Sequence, residues 1–182
     1  MLVQLFERAD RALRAASGTL ALVASLLILG LILLTATDVT FRVIRGASIP
    51  GAFEMSEMTL VASVFLAIPY TMRVSGHVAI DSLTTRLPPT AAKAAVVAGL
   101  LAVVPVIAWW FVRASMVAAT ALRTGETRMG IVAIPVWPVR VAIATGAGLL
   151  VLEMLSSTVR EIIGSEGASH ADLDQSSGSS PM

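Results

Sequence analysis

The stretch AASGTLALVASLLILGLILLTAT, residues 15–37, runs between Arg14 and Asp38 without a charged side chain. At about 23 residues it is long enough, as a helix, to cross a hydrocarbon layer roughly 30 Å thick. A cleavable secretory signal would have an apolar region of about 7–15 residues and a small-residue cleavage site. Here the run is longer and DVTFRVIRG follows it, so it reads as a retained first span over residues 17–40.

Three further runs extend the pattern. Between Glu57 and Arg73 lies MTLVASVFLAIPYTM. It falls short of the roughly 20 residues a crossing needs, so a span over 54–73 has to bring Glu57 or Arg73 to the membrane edge. Pro69 is expected to bend it near its far end. Between Lys93 and Arg113 lies AAVVAGLLAVVPVIAWWFV, a span over 92–113 that can continue as one helix to Arg123, since no helix breaker follows the tryptophan pair. The fourth run opens at IPVWPVR and continues as VAIATGAGLLVLEMLSSTV, a span over 137–160 whose one acid is Glu153.

Composition agrees. Of 182 residues, 56% are hydrophobic and 14% charged, whereas soluble domains carry about 25% charged residues. A net charge of +1 supplies no basic field for nucleic acid, and the absence of Cys removes disulfides, thiolate metal sites and Cys nucleophiles. The fold class is therefore an all-α membrane protein with four transmembrane helices. Residues 1–16 place Leu2, Phe6, Ala9 and Leu13 at helical spacing among Glu7, Arg8, Arg11 and Arg14, the pattern of an N-terminal amphipathic interfacial helix. Residues 17–163 form the four-span domain. Residues 164–182, rich in Ser, Gly and Asp, lack an apolar face and read as a disordered tail.

Four spans put both termini on one side. Arg and Lys divide almost evenly between the two sides, but Arg8, Arg11 and Arg14 before the first span favour a cytoplasmic N-terminus and with it a cytoplasmic tail. In this arrangement Trp109, Trp110 and Trp137 are expected at one interface, as an aromatic belt.

The polar residues sort by depth. Glu54 and Glu57 share a helix face; Glu54 reads as interfacial, and Glu57, one turn deeper, as buried against Arg42, Arg45 or another subunit. Asp38 and Arg42 have the spacing of a local helical ion pair. His77 and Asp81 offer two metal ligands at most, too few for a closed site, and read as a cap or interfacial hydrogen bond. In the fourth span Ala142, Gly146, Leu149 and Glu153 fall on one stripe, and the small residues of ATGAG suit close helix packing. No His is placed to ligate haem between helices or to serve a Ser–His dyad, and Asp38 and Asp81 fall on opposite sides, too far apart for an intramembrane aspartyl pair. No repeated broken helix marks a midplane substrate site. The residues thus describe a scaffold or accessory subunit, with no catalytic group, no cofactor and no metal site.

The order of several short motifs resembles a known family. Asp38 and Arg42 close the first span, IPGAFEMSE follows, then FLAIPYTMRVSGHVAIDSL with His77 and Asp81, a Trp pair in the third span, and IPVWP with Pro135 and Trp137 at the fourth. Over about residues 15–160 this is similar to the small integral-membrane, DctQ-like subunit of tripartite ATP-independent periplasmic (TRAP) transporters. Ile68 and Pro69 stand where small residues are usual in that pattern. The resemblance implies a multi-pass protein of the bacterial inner membrane and two protein partners. One is a large membrane subunit, here a separate polypeptide, that carries the substrate and the coupling sodium. The other is a periplasmic solute-binding protein that delivers a solute, often an organic acid. Under it, Glu54, Glu57, Gly146 and Glu153 are candidate contacts within the bundle or with the large subunit, and Arg42, Arg45, Arg123 and Arg128 form a candidate docking rim for the binding protein. Two other readings stay open: an autonomous homo-oligomeric transporter using Glu57 or Glu153 as its coupling acid, and an assembly subunit of a different membrane complex.

Overall fold

A computed structural model of the chain describes residues 2–75, 89–130 and 132–177. Four helices carry them: α1 (Leu2–Arg45), α2 (Ala52–Ser75), α3 (Pro89–Thr124) and α4 (Trp137–Ser177). Between α3 and α4 lies a short antiparallel hairpin, β1 (Thr127–Arg128) and β2 (Ile134–Pro135), with Arg128 opposite Ile134. Each helix includes a segment long and apolar enough to span a membrane. Helix is what such sequences must form, because in lipid every backbone N–H and C=O has to find its partner within the segment. Two helices stop at glycine. Gly46 and Gly125 adopt positive φ of 71° and 61°, and their N–H groups bond back to Arg42 and Ala121, the left-handed closure that side chains with a Cβ resist.

Two helices run further than the sequence reading drew them. α1 is continuous from Leu2 to Arg45, 44 residues, with no joint between a separate interfacial helix over 1–16 and the first span. Gly18 is the weakest helix former at that junction, at a cost of about 1 kcal/mol. α4 continues to Ser177, through residues 164–177 of the compositional tail. α2 and α3 both continue through their internal prolines, Pro69 and Pro105. His77 and Asp81 lie outside the described residues.

The most extensive packing runs α1 to α2, α2 to α4, and α4 to α3, so the helix last in sequence sits inside the row and the third forms its edge. The contacts are made through small residues: Ala24, Ala52, Ser63, Ala118, Ala121 and Ala147 are all buried. That is how membrane helices associate where no hydrophobic effect drives them together. Gly146 crosses α2 at Phe65, and Gly148 crosses α3 at Phe111. The Phe65 ring also meets Trp110 of α3, 5.3 Å between centroids.

These crossings fix the register. Val136 N–H bonds to the Glu126 carbonyl, so α3 ends beside the start of α4 and the two run antiparallel. Phe111 then lies level with Gly148, about 16 Å from Trp137 at 1.5 Å per residue. Trp109 and Trp110 therefore do not share the level of Trp137, contrary to the expected belt. They sit well inside the layer, because α3 continues past them to Thr124 instead of ending at Arg113.

Candidate functional site

Polar side chains gather at two levels, and the distance between them matches a bilayer. Ser17 and Asp38 are about 31 Å apart along α1.

At the Ser17 level three helices are tied by ions. Arg73 of α2 pairs with Asp10 of α1 and, at 3.2 Å, with Glu153 of α4. Ser17 donates to the same Glu153 oxygen at 2.8 Å, and Ser156 donates to Asp10 at 3.2 Å. Arg14 reaches Asp10 from the more exposed side at 3.4 Å. Glu153 is 1% exposed and the Arg73 side chain 9%. Only one Glu153 oxygen is served: Oε2 has no hydrogen-bond partner among the described residues. Ions at this depth in a span are tolerated when they face the bundle and pair, as Arg73 and Glu153 do here. Sequence reasoning placed Glu153 on a packed stripe but not its partners. The available signal was that Asp10 and Arg73 are the charges flanking spans one and two at the end where Glu153 breaks span four.

At the Asp38 level the polar residues organise loops. Asp38 accepts from Arg42 at 2.8 Å and from the Ile49 backbone N–H at 2.7 Å. It thereby pins the α1–α2 turn while making the local pair that the spacing suggests. Arg45 lies over the Phe41 ring at 5.0 Å, a cation–π contact. The described residues of the α3–α4 connection fold back over the start of α2. Arg140 grips Glu126 with both guanidinium nitrogens, at 2.7 and 2.8 Å, Val132 and Ile134 pack on Gly51, and Gly130 lies against the Glu54 carboxylate. Glu57 pairs with Arg128 of β1 at 2.9 Å. Its partner is thus the hairpin rather than Arg42 or Arg45, and both groups remain about half exposed. Pro135 and Trp137 flank the junction of hairpin and α4. Arg123 ends α3 facing out, with no ion pair among the described residues.

An exposed pair of this kind contributes about 0–1 kcal/mol. Glu57→Gln is accordingly expected to leave the unfolding midpoint of the purified protein in mild detergent within a few degrees of wild type; a collapse of the fold would show that Glu57 carries more than this pair.

Grooves between the helices are apolar. One of about 560 Å³ runs between α1 and α4, past Leu13, Ala16, Leu149 and Leu152, and another of about 570 Å³ lies along α2 past Leu60, Val64 and Ile107. Among the described residues there is no group of three or more His, Cys, Asp or Glu spaced to hold a metal ion.

The family described as "Tripartite ATP-independent periplasmic transporters, DctQ component" matches residues 31–164. No curated protein and no solved structure matches the chain.

Proposed function

The chain belongs to the DctQ component family of tripartite ATP-independent periplasmic transporters, and from that premise we propose that it is the non-catalytic small permease subunit that braces a separate large membrane subunit and helps dock the periplasmic binding protein. The observation that carries this reading is the match over residues 31–164 joined to a bundle whose buried ions are spent on one another. The transport cycle it serves is sodium-coupled uptake of an organic acid across a bacterial inner membrane. Both termini lie in the cytoplasm, so the Asp38 level and the hairpin face the periplasm.

The direct test is uptake into vesicles containing the large subunit and a saturating binding protein, with and without this chain. Uptake that depends on the chain, while solute affinity of the free binding protein is unchanged, supports the proposal. Full uptake without it overturns the bracing role. Exposed charges at a docking rim act mainly on association rate and are screened by salt. Arg123→Ala with Arg128→Ala, which also leaves Glu57 unneutralised, is expected to slow binding-protein association three- to tenfold at low salt, with the difference vanishing near 0.5 M salt. Equal rates at low salt would remove Arg123 and Arg128 from the rim.

A further inference from the structure

Arg113 stands within α3, about 16 Å short of its end at Thr124. From the Phe111–Gly148 crossing it lies about 10 Å beyond the Glu153 level and about 14 Å short of Trp137. It is exposed, on the side of α3 turned away from the bundle, and it makes no hydrogen bond or ion pair among the described residues. A cation so placed has few resting states. Long basic side chains escape to the headgroups from near helix ends, but both polar levels are about 10 Å or more away. A charge kept at such a depth faces protein or water and has a partner.

Its surroundings indicate which. Val106, Trp109, Met116 and Thr120 lie above and below Arg113 at three- and four-residue steps, all exposed. Trp109 is 67% exposed and Met116 57%. The opposite side of α3 is satisfied, with Phe111 against Gly148, Trp110 against Phe65, and Ala118 and Ala121 buried. Trp, Arg and Met are the residues enriched in protein interfaces, and Trp and Arg dominate their binding energy. An unpaired Arg beside an exposed Trp at mid-depth is therefore the composition of a contact face, not of a lipid face.

We propose that this stripe of α3, centred on Arg113 and Trp109, is the docking face for the large membrane subunit, and that Arg113 pairs there with an intramembrane carboxylate of that subunit. The inference rests on the reading of the chain as a small permease subunit. Charge complementarity selects the occupant, since neither a lipid tail nor a purely apolar helix neutralises a guanidinium.

The test is co-purification of the tagged chain with its co-expressed large subunit. Arg113→Gln is expected to cut the recovered large subunit more than tenfold, Trp109→Ala several-fold, and Arg113→Lys, which keeps the charge, far less than Arg113→Gln. Arg113→Glu should assemble again when the partner acid is changed to Arg. Helix content of each variant, measured on the chain alone, is expected to match wild type. Wild-type recovery with Arg113→Gln would overturn the inference while leaving the small-subunit reading intact. Failure of the wild-type chain to bring down the large subunit would overturn that reading itself.

Discussion

Replacing Gly146 with leucine is expected to abolish the native packing of α2 on α4, and replacement with alanine to weaken it severely. The cause lies in two residues far apart in sequence. In an unbroken helix the N–H of residue 69 would bond the carbonyl of Phe65, but Pro69 has no N–H. The Phe65 oxygen is left open at the middle of a bilayer, where an unsatisfied carbonyl is costly. Gly146 meets it there. A Cβ built on Gly146 would collide with that oxygen and lie 3.4 Å from the Phe65 Cβ. The hydrogen standing in its place points at the carbonyl, an arrangement that recurs at close helix crossings. Backbone cannot step aside as a side chain can, so even one methyl forces the helices apart. Overpacking commonly costs about 1–3 kcal/mol, and this site is expected at or beyond the top of that range. Gly148→Ala is the contrast to measure: a Cβ there would meet the Phe111 ring edge at 2.8 Å, and a ring can tilt. Gly18→Ala and Gly30→Ala meet nothing within 4 Å and should be neutral or stabilising. Unfolding midpoints of the four alanine variants in one mild detergent decide the matter. An alanine at 146 that melts like the one at 30 would show that α2 and α4 are not held at this crossing.

The four spans were legible in the sequence because each announces itself by length and lack of charge. What was not legible is which face of each span is covered. In water, burial follows hydrophobicity. In lipid the covered and the lipid-facing sides are both apolar, so the pattern carries no direction. Here the most apolar span, in α1, is among the least buried, while the two more polar spans, in α2 and α4, form the middle of the row. The informative residues were the exceptions. Gly146 and Glu153 interrupt an apolar helix and both turn inward. Trp109 and Trp110 misled, because an aromatic at a run's end is taken for an interface marker, whereas Arg113, read as the boundary, lies inside the span. The hairpin could not be read at all: TRMG and VAIP have no alternation long enough to mark strands, and the ion pairs Glu57–Arg128 and Glu126–Arg140 that seat it join separate segments.

The second large effect is expected at the Ser17 level, and it is an ordering rather than a single loss. Arg73 is the buried cation serving both Asp10 and Glu153. Arg73→Met retains length and apolar volume but leaves the Glu153 carboxylate buried without its cation and removes the buried cation from Asp10. Breaking a buried pair from one side costs about 3–5 kcal/mol, because the remaining ion keeps its desolvation penalty. Glu153→Leu removes the other partner, and the outcome should differ. Arg73 keeps Asp10, Ser17 turns its one hydroxyl proton from Glu153 to the Leu13 carbonyl 2.8 Å away, and the orphaned Oε2 disappears with the acid. A buried carboxylate oxygen without a donor is itself unfavourable, so the leucine variant recovers part of what it loses and should fall within about 1–2 kcal/mol of wild type. The double variant should then lie closer to Glu153→Leu than to Arg73→Met, since without Glu153 the arginine has one acid left to serve and that acid has Arg14 and Ser156 beside it. Unfolding midpoints of the three variants provide the cycle. Equal losses in the two single variants would mean that the cluster is hydrated and its members act independently; the predicted asymmetry would mean that one guanidinium joins α1, α2 and α4 at the membrane boundary.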